Sequence, residues 1–526
     1  MRYFQPTESA RLLYGKYLYI MWEAYIKSVI GIGFITTKEL IMKRKRIFCF
    51  VFVAVIMIFS SCSPSPIAAA THTPEPTAAA ATAAPSPSST AAPTSSDNGV
   101  ITIYSFTDEV LNIVEKYKAL HPDFHYEINY PIGGMFEGYY QDALDQALTA
   151  KSPDAADIYC VEASFASKYT QGEMSGYALP YKDLFSDLEE KIATAKIAPY
   201  IAEVGTRPTD NAIVGLAYQN TAGAFIYRRS IAKDVWGTDD PAVITSKIGP
   251  GWNKFFASAE DLKLKGYAIV SGDGDIWHPI QGSADKGWLV DGKLYIDPKR
   301  ASFLDYAKEL ADKGYSNGTI DWLDGWYADM TGSGDKPVFG FFGPAWLINY
   351  VMVGHSGAAF DDLGKLVDVG GTYGDWAVCE PTQNFFWGGT WVLANKTLND
   401  DPAKKAAVAE LIDWINLQCG KDSLQYLWAN GKAVGTDSPI DTVASGTVMA
   451  MADGTLDFLG GQNMFDAFIP ASQNINGKNI TEFDDSINVY WLDEVRKYAD
   501  GKCTRDEAIA AFKQQVKEQL HIDAAS

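Results

Sequence analysis

The sequence contains none of the short motifs that mark several large enzyme families. It has no HExxH, no GxSxG and no P-loop, so the signatures of zinc proteases, serine hydrolases and nucleoside triphosphatases are missing. Residues 354–358 (GHSGA) lack the final glycine of a nucleophile elbow. Gly272 and Gly274 are followed by Trp277, where a dinucleotide fingerprint needs glycine. A glycosidase needs only two carboxylates, so this class of enzyme stays open.

Cysteine and histidine are also scarce, with six of each in 526 residues. Beyond Cys49 and Cys62, the cysteines are far apart and form no CxxC pair: they are Cys160, Cys379, Cys419 and Cys503. This spacing argues against zinc and iron–sulfur sites and leaves any disulfide pairing open. Asp273 and Asp275 lack the glycine and glutamate of a calcium loop. No cofactor and no metal is predicted.

Basic residues are the third shortage. Lysine and arginine number 44 against 65 aspartates and glutamates, which gives a net charge of −21. A surface this acidic repels nucleic acid and anionic lipid. We therefore predict no nucleic-acid partner, and interpret the charge as a source of solubility.

A bacterial lipoprotein signal is predicted near the start of the chain. Four basic residues at 43–46 precede 13 apolar residues at 47–59, and Ser60-Ser61-Cys62 follows. The apolar run is too short to span a bilayer comfortably, since a spanning helix needs about 20 residues. Phe59 stands where the lipobox more often has Leu, Val or Ile. The alternatives are an ordinary signal peptide or a membrane anchor; we predict residues 42–61 as the signal and Cys62 as the lipidated residue.

The segments on either side of this signal have different interpretations. A signal should open the chain, so we expect Met42 to be the true start and residues 1–41 to be a spurious upstream extension. After Cys62, all but four of the 35 residues at 63–97 are Ala, Pro, Ser or Thr. Such a segment buries too little apolar surface to offset its ordering entropy. Residues 62–97 are therefore predicted to be a tether that reaches roughly 30–35 Å as a flexible coil.

The remaining body alternates strand-like and helix-like segments. Residues 100–104, 126–130 and 156–161 read as strands, and helices are predicted from residue 107 to about 121, over 136–151 and over 163–171. This alternation is typical of α/β proteins with mainly parallel sheets covered by helices. Ligands of such sheets bind beyond the carboxyl ends of the strands. That rule indicates residues 105–108 and Glu162.

Six segments in order resemble the extracellular solute-binding proteins of bacterial ABC transporters, of the large carbohydrate-binding type (family 1). They are residues 101–106 (ITIYSF), 152–158 (SPDAADI), 224–229 (AFIYRR), 251–255 (GWNKF), 341–346 (FFGPAW) and 388–393 (GGTWVL) followed by Pro402-Ala403. No single segment is specific, but together they span residues 98–520. The family commonly has Tyr-Asn where this chain has Tyr227-Arg228.

The resemblance implies an α/β fold of the two-lobed, periplasmic-binding-protein type (type II), with a ligand cleft between lobes joined by several crossing segments. On this basis we expect a first lobe of residues 98–218 and 368–397. The second lobe would then take residues 219–367 and 398–526. The resemblance also implies a saccharide ligand, permease subunits of an ABC transporter as partners, and a monomer.

Aromatic side chains are the first candidates for contacts with a sugar. Flat rings stack on the C–H faces of pyranoses, and several tryptophans lie beside turns or at a helix start. The candidates are Trp277, Trp322, Trp326, Trp346, Phe386 and Trp387. For each the alternative is a large ring that fills a core. Trp252, Trp414 and Trp428 lie in helical patterns and are expected to be structural.

Polar candidates are fewer. Asp108 and Glu162 lie just beyond predicted strand ends, although Asp108 could only stabilise a helix start. Gln462 follows Gly460-Gly461, which suggests close approach of the backbone or a simple turn. We therefore expect a lipid-anchored receptor, without catalytic residues, on the outer side of the cell membrane. It would capture a carbohydrate, and we expect an oligosaccharide; a surface glycoside hydrolase and a binding protein for a non-sugar ligand such as a peptide are the alternatives.

Overall fold

The computed structural model describes residues 99–131, 137–150, 155–360, 366–433 and 438–525. All of them fall within one unit of the chain, Thr94–Ser526. The predicted signal, Cys62, the tether and the start at Met42 lie outside the described residues. No helix among the described residues is long and apolar enough to cross a membrane.

The strands are numbered along the chain. They are β1 Val100–Tyr104, β2 Glu127–Asn129, β3 Ile158–Glu162, β4 Thr206–Arg207, β5 Ala212–Ile213, β6 Gly215–Ala217, β7 Ala224–Arg228, β8 Val270–Gly272, β9 Leu289–Val290, β10 Lys293–Leu294, β11 Ser316–Thr319, β12 Gly340–Gly343, β13 Ala359–Phe360, β14 Leu366–Asp368, β15 Trp376–Cys379, β16 Thr390–Ala394, β17 Thr455–Leu456 and β18 Gln462–Asn463.

The α-helices are numbered in the same way. They are α1 Glu109–Leu120, α2 Glu137–Thr149, α3 Ala163–Thr170, α4 Leu188–Ala195, α5 Pro199–Val204, α6 Arg229–Trp236, α7 Pro241–Ile248, α8 Trp252–Leu264, α9 Asp273–Gly282, α10 Pro298–Lys313, α11 Asp324–Thr331, α12 Ala345–Leu347, α13 Pro402–Asn416, α14 Leu424–Ala429, α15 Gly446–Met449, α16 Phe465–Ala471, α17 Asp484–Ala499 and α18 Arg505–Leu520. A short π-helix, Ile348–Met352, continues α12.

Helix boundaries follow local chemistry. Thr504 caps α18 by accepting the backbone N–H of Glu507, while the Glu507 carboxylate accepts the N–H of Thr504. Helix α10 begins with Pro298 after the Asp297 cap and ends at Gly314 in the left-handed conformation. A proline at the first position and a glycine after the last are the expected signals of a helix start and end.

The first sheet has five strands in the order β2-β1-β3-β16-β6. Strand β1 pairs in parallel with β2 and β3, whereas β16 runs antiparallel to β3 and β6. Helix α13 packs on α1, with the rings of Trp414 and Tyr117 5.2 Å apart. The predicted first three strands and the helices between them are confirmed, with ends displaced by one or two residues.

The second sheet is built around β7, which pairs with β12 and β15. Both pairings are antiparallel, so the expectation of mainly parallel sheets is wrong here. Parallel pairing is found beside this trio, between β8 and β11 and where Phe339 N–H donates to the Ala268 carbonyl. Helices α10, α17 and α18 pack together around Trp491, whose ring lies 4.9 Å from that of Phe512. The chain therefore has the predicted α/β class, and the two larger sheets of its described residues are each covered by helices.

Two of the expected lobe boundaries need correction. Strand β15, placed in the first lobe, pairs with β7 of the second sheet. Helix α13, placed in the second lobe, packs against α1 of the first sheet. The sequence could not show these assignments because they depend on which sheet each element joins. The chain crosses between the sheets after β15 and before β16.

Candidate functional site

One edge of the first sheet gathers the ends of four strands. Strands β1, β3 and β6 run in one direction and β16 runs in the other. The carboxyl ends of three strands and the start of β16 therefore lie along the same edge, where α/β sheets bind their ligands. Glu109, Glu162, Tyr218 and Gly389 all lie at or just beyond these ends.

Glu162 is held at this edge by the helix that follows it. Its carboxylate accepts the backbone N–H of Ser164 at 2.7 Å and the Ser164 hydroxyl at 2.5 Å, which caps α3. Burial raises the pKa of the Glu162 carboxyl; the Ser164 hydrogen bonds oppose this rise, and the Asp485 charge adds to it. A carboxylate fixed in this way can accept hydrogen bonds from ligand hydroxyls without first being ordered.

The Gly388-Gly389 pair lets an indole approach Glu162. Both glycines have positive φ, +74° and +116°, which side chains rarely tolerate. A Cβ at Gly388 would lie 3.2 Å from Nε1 of Trp346 and 3.4 Å from Oε1 of Glu162. Because Gly388 has no side chain, the Glu162 carboxylate and the Trp346 indole can both lie close to its backbone.

Three tryptophans form the indole cluster at this point: Trp322, Trp346 and Trp387. The rings of Trp322 and Trp346 are parallel within 7°, with centroids 6.0 Å apart. Trp387 meets Trp346 edge-on at 4.8 Å and Trp322 at 5.9 Å. The Trp346 indole N–H donates to the Trp387 carbonyl at 2.9 Å. Trp322 remains 37% exposed, so the cluster offers an aromatic surface to solvent.

His278 and Asp321 support this cluster, and sequence analysis missed both. The His278 ring stacks on Trp387 at 3.8 Å and 20°. Its Nε2 lies 3.3 Å from Oδ2 of Asp321, which directly precedes Trp322. Sequence analysis selected the neighbouring Trp277 instead. Adjacent residues point in different directions around a helix, and the sequence has no signal for which of the two faces the cluster.

Two of the predicted tryptophans belong to the core. Trp277 is 2% exposed, and its ring lies 4.8 Å from that of Phe303. Trp326 is 1% exposed and packs beneath Trp322 at 5.4 Å. Neither ring is accessible to a sugar, because both side chains are buried. Trp277 is therefore removed from the candidate site, and Trp326 is retained only as a support for Trp322.

Of the other predicted residues, Gln462 and Phe386 contact other parts of the protein, whereas Asp108 is exposed. Gln462 is committed to the protein, since its amide accepts the N–H of Val378 and donates to the Val378 carbonyl, both at 2.8 Å. Phe386 stacks on Tyr200 at 4.9 Å behind the indole cluster. Asp108 is exposed at the start of α1 and makes no side-chain capping bond, so its carboxylate remains available at the sheet edge.

A second acidic group, also missed from the sequence, lies at the same edge. The Tyr218 hydroxyl donates to Glu109 at 2.6 Å. Asp441 is 2% exposed, and burial raises the pKa of its carboxyl to about 7; the Glu109 charge adds to this rise, while hydrogen bonds from Thr442 and from the Asn349 side chain oppose it. Burial raises the pKa of the Tyr350 phenol, at the continuation of α12, and the charges of Asp441 and Glu109 add to this rise. We call Glu109 and Asp441 the acidic pair.

The fold resembles solved structures of solute-binding proteins, among them two that bind sugars. An extracellular solute-binding protein of family 1 aligns with 80% of this chain and 99% of its own at 17% identity, with a TM-score of 0.61. The galacto-N-biose/lacto-N-biose I-binding protein of a Bifidobacterium longum ABC transporter, solved with lacto-N-biose, aligns with 82% of this chain at 17% identity and a TM-score of 0.56; all of that protein is covered. The sugar-binding protein MalE of Xanthomonas citri aligns with 80% of this chain and 97% of its own at 14% identity and a TM-score of 0.57.

These likenesses establish the two-lobed solute-binding-protein fold that the sequence resemblance implied. No protein-family model matches the chain. No curated protein matches it either.

Proposed function

We propose that this chain is a binding receptor that captures a carbohydrate and delivers it to an ABC-type permease. The observation that best supports this is the meeting of Glu162 with the indole cluster at the edge of the first sheet. The fold likeness to a sugar-binding protein of an ABC transporter and to the sugar-binding protein MalE points the same way.

The chemistry of the cleft suits a sugar. An exposed indole face covers the C–H groups of a pyranose, while a fixed carboxylate accepts hydrogen bonds from hydroxyls on the ring edge. Trp322 supplies the exposed face, and Glu162 supplies the acceptor. Asp108 is available as a second acceptor. An elongated ligand that touches all of these groups would be an oligosaccharide.

Delivery requires a change that a permease can detect. Ligand contacts from the first sheet and from the indole cluster would be complete only when the two regions close on the sugar. Such contacts shift the population toward the closed form. We propose that the closed form docks on membrane permease subunits driven by a separate ATPase, and that the receptor acts as a monomer without catalysing a reaction.

The receptor would be held on the outer side of the membrane through lipid on Cys62. The predicted signal and the predicted tether of residues 62–97 support this placement. Cys62→Ala should leave the precursor without lipid and release or mislocalise the protein. Incorporation of radiolabelled palmitate into the mutant would contradict the anchor.

A screen of the purified protein against mono- and oligosaccharides tests the function. A ligand at 100 times its Kd should stabilise the fold by about 2.7 kcal/mol, which a thermal shift detects. The bound saccharide should be recovered unchanged. Products that form over hours at stoichiometric protein, and disappear when one carboxylate is mutated, would instead support a hydrolase.

A further inference from the structure

A polar cavity of about 220 Å³ lies between helices of the two sheets. One wall comes from α2 and α3, which flank β3 of the first sheet, and the other comes from the start of α17, which packs with α10 and α18 beside the second sheet. The polar residues of the first wall are Gln141, Ser164 and Lys168, and those of the second wall are Glu482, Asp485 and Ser486. The two regions of the protein therefore form this cavity together.

The polar cavity adjoins the indole cluster through Glu162. Ser164 lines the cavity and donates its N–H and its hydroxyl to the Glu162 carboxylate, at 2.7 and 2.5 Å. Oε1 of this carboxylate lies 3.4 Å from the position of a Cβ on Gly388, and Nε1 of Trp346 lies 3.2 Å from the same position. Glu162 is therefore adjacent both to the aromatic surface and to the polar cavity.

Four side chains of the polar cavity are available to a ligand. In the parts of the chain that the structure describes, the side chains of Gln141, Glu482, Asp485 and Ser486 make no hydrogen bond and no ion pair. Glu482 and Asp485 are exposed, and the other two are partly exposed. A ligand that binds them replaces water and breaks no contact within the protein, so its hydrogen bonds are not offset by lost ones.

The two walls approach each other without being bonded together by these side chains. Oε2 of Glu482 lies 3.0 Å from the position of a Cβ on Gly172, just beyond the end of α3. Lys168 pairs with Asp145 of its own wall at 2.7 Å, and the Tyr169 hydroxyl donates to the same carboxylate at 2.9 Å. The charge of Lys168 is thus balanced on its own side, and the space between the walls stays open to a ligand.

The size and the lining of the polar cavity suit one sugar ring. Whole sites for small molecules measure about 300–1,000 Å³, whereas this cavity would hold only about seven waters at roughly 30 Å³ each. A sugar hydroxyl both donates and accepts. It can donate to the carboxylates of Glu482 and Asp485 and accept from the Gln141 amide or the Ser486 hydroxyl. The cavity therefore matches the hydroxyl groups of a ring, while the indole cluster matches its C–H face.

We propose that the ligand has at least two linked sugar rings, one on the indole cluster and one in the polar cavity, where Gln141 and Asp485 bind it from opposite walls. This inference rests on the carbohydrate-binding function proposed above. Because the walls belong to different regions, the second ring connects them and favours the closed form. A monosaccharide on the indole cluster leaves the polar cavity to water. The receptor therefore selects its ligand by chain length.

Sugars that differ only in length test this inference separately from the function. The probes are glucose with maltose and with cellobiose, galactose with β-1,4-galactobiose, and mannose with β-1,4-mannobiose, each titrated into the purified protein by calorimetry. We expect the disaccharide to bind at least about 10-fold more tightly than its monosaccharide in each series that binds, a ratio that corresponds to about 1.4 kcal/mol. Where a saccharide screen finds a tighter ligand, that ligand is compared with its own monosaccharide.

The outcomes separate the two proposals. A ratio below about 10-fold in every series that binds would overturn the second ring and leave the carbohydrate receptor intact. Binding of none of these sugars, and of no other neutral mono- or oligosaccharide, would overturn both.

Two variants test where the second ring lies. Asp485→Ala and Gln141→Ala each remove one side chain from one wall, and the melting temperature of the unliganded protein should change little because neither side chain is bonded. Each should weaken disaccharide binding by at least about 5-fold, since a hydrogen bond to the ligand is lost, and leave monosaccharide binding unchanged. Unchanged disaccharide affinity in either variant, or an equal loss for both sugars, would overturn the role of the polar cavity.

Asp506→Ala is the matched control. Asp506 is an exposed carboxylate in the first turn of α18, as Asp485 is in the first turn of α17. The control should leave the affinities of both sugars unchanged. A loss of disaccharide affinity in Asp506→Ala equal to that in Asp485→Ala would show a general effect of removing charge and would overturn the specific role of Asp485.

Discussion

The two sides of the candidate cleft are built by different means. On the first sheet, the carboxylates lie where parallel strands end and helices begin, so regular backbone geometry positions Glu109 and Glu162. On the opposite side, the rings come from irregular segments: Trp322 sits in a loop with φ of +69°, and Trp387 precedes two glycines with positive φ. The polar side therefore follows from topology, whereas the aromatic side depends on contacts among rings distant in sequence.

The largest expected effect is a loss of stability on mutating Trp277, which we place in the core and not in the cleft. Trp277→Ala should lower the free energy of unfolding by about 3–5 kcal/mol, the usual cost of removing a buried large side chain. The ring packs against Phe303 and Trp288, away from the indole cluster. Saccharide affinity measured on the folded fraction by calorimetry should stay within error. A selective loss of affinity with normal stability would return Trp277 to the site.

Truncating the aromatic side should act mainly on binding. Trp346→Ala removes the ring that touches Trp322 and Trp387 beside Glu162. Anchors of this kind commonly contribute 2 kcal/mol or more, so affinity should fall by roughly 30-fold. Calorimetry and thermal unfolding should be measured on the same mutant. Unchanged affinity with a collapsed melting temperature would make Trp346 structural.

On the polar side, Asp441 should make the stability of the fold depend on pH. The pKa of Asp441 is raised by burial to about 7, so the folded protein binds a proton that the unfolded chain releases near pH 4. Stability should therefore fall as pH rises from about 4 to about 7. Part of this slope should disappear in Asp441→Asn, as chemical denaturation at several pH values can show. Identical slopes in the two proteins would contradict the raised pKa.

The smallest effect concerns the glutamine that sequence analysis placed in the site. Gln462→Ala breaks two hydrogen bonds to the backbone of β15. It should cost about 1–3 kcal/mol of stability, because the Val378 groups are left unpaired. Saccharide affinity should not change. A loss of affinity without a loss of stability would show that Gln462 contacts the ligand.

The sequence was most informative where local patterns decide the structure. The start of α1, strand β3 and the helix after Glu162 follow from strand–helix alternation and capping residues, and Trp414 is buried, as its helical pattern indicates. The antiparallel partners of β7 and the place of α13 depend on long-range pairing. No local pattern specifies such pairings.

The candidate site shows the same limit. Glu162 was identified from its place after a strand, and Trp346 from the turn before its helix. His278 and Asp441 were missed because each matters only through a neighbour far along the chain, Trp387 for His278 and Glu109 for Asp441. Trp277 and Gln462 were included among the candidates for the same reason. The residues that they contact in the protein, Phe303 and Val378, are distant in sequence.

The structure of the protein crystallised with the saccharide that stabilises it most tests the central claim most directly. Our account predicts a sugar ring whose carbons lie within about 4.5 Å of Trp322 or Trp346, with at least one hydroxyl hydrogen-bonded to Glu162. A saccharide bound elsewhere on the protein, with the indole cluster and Glu162 untouched, would contradict it.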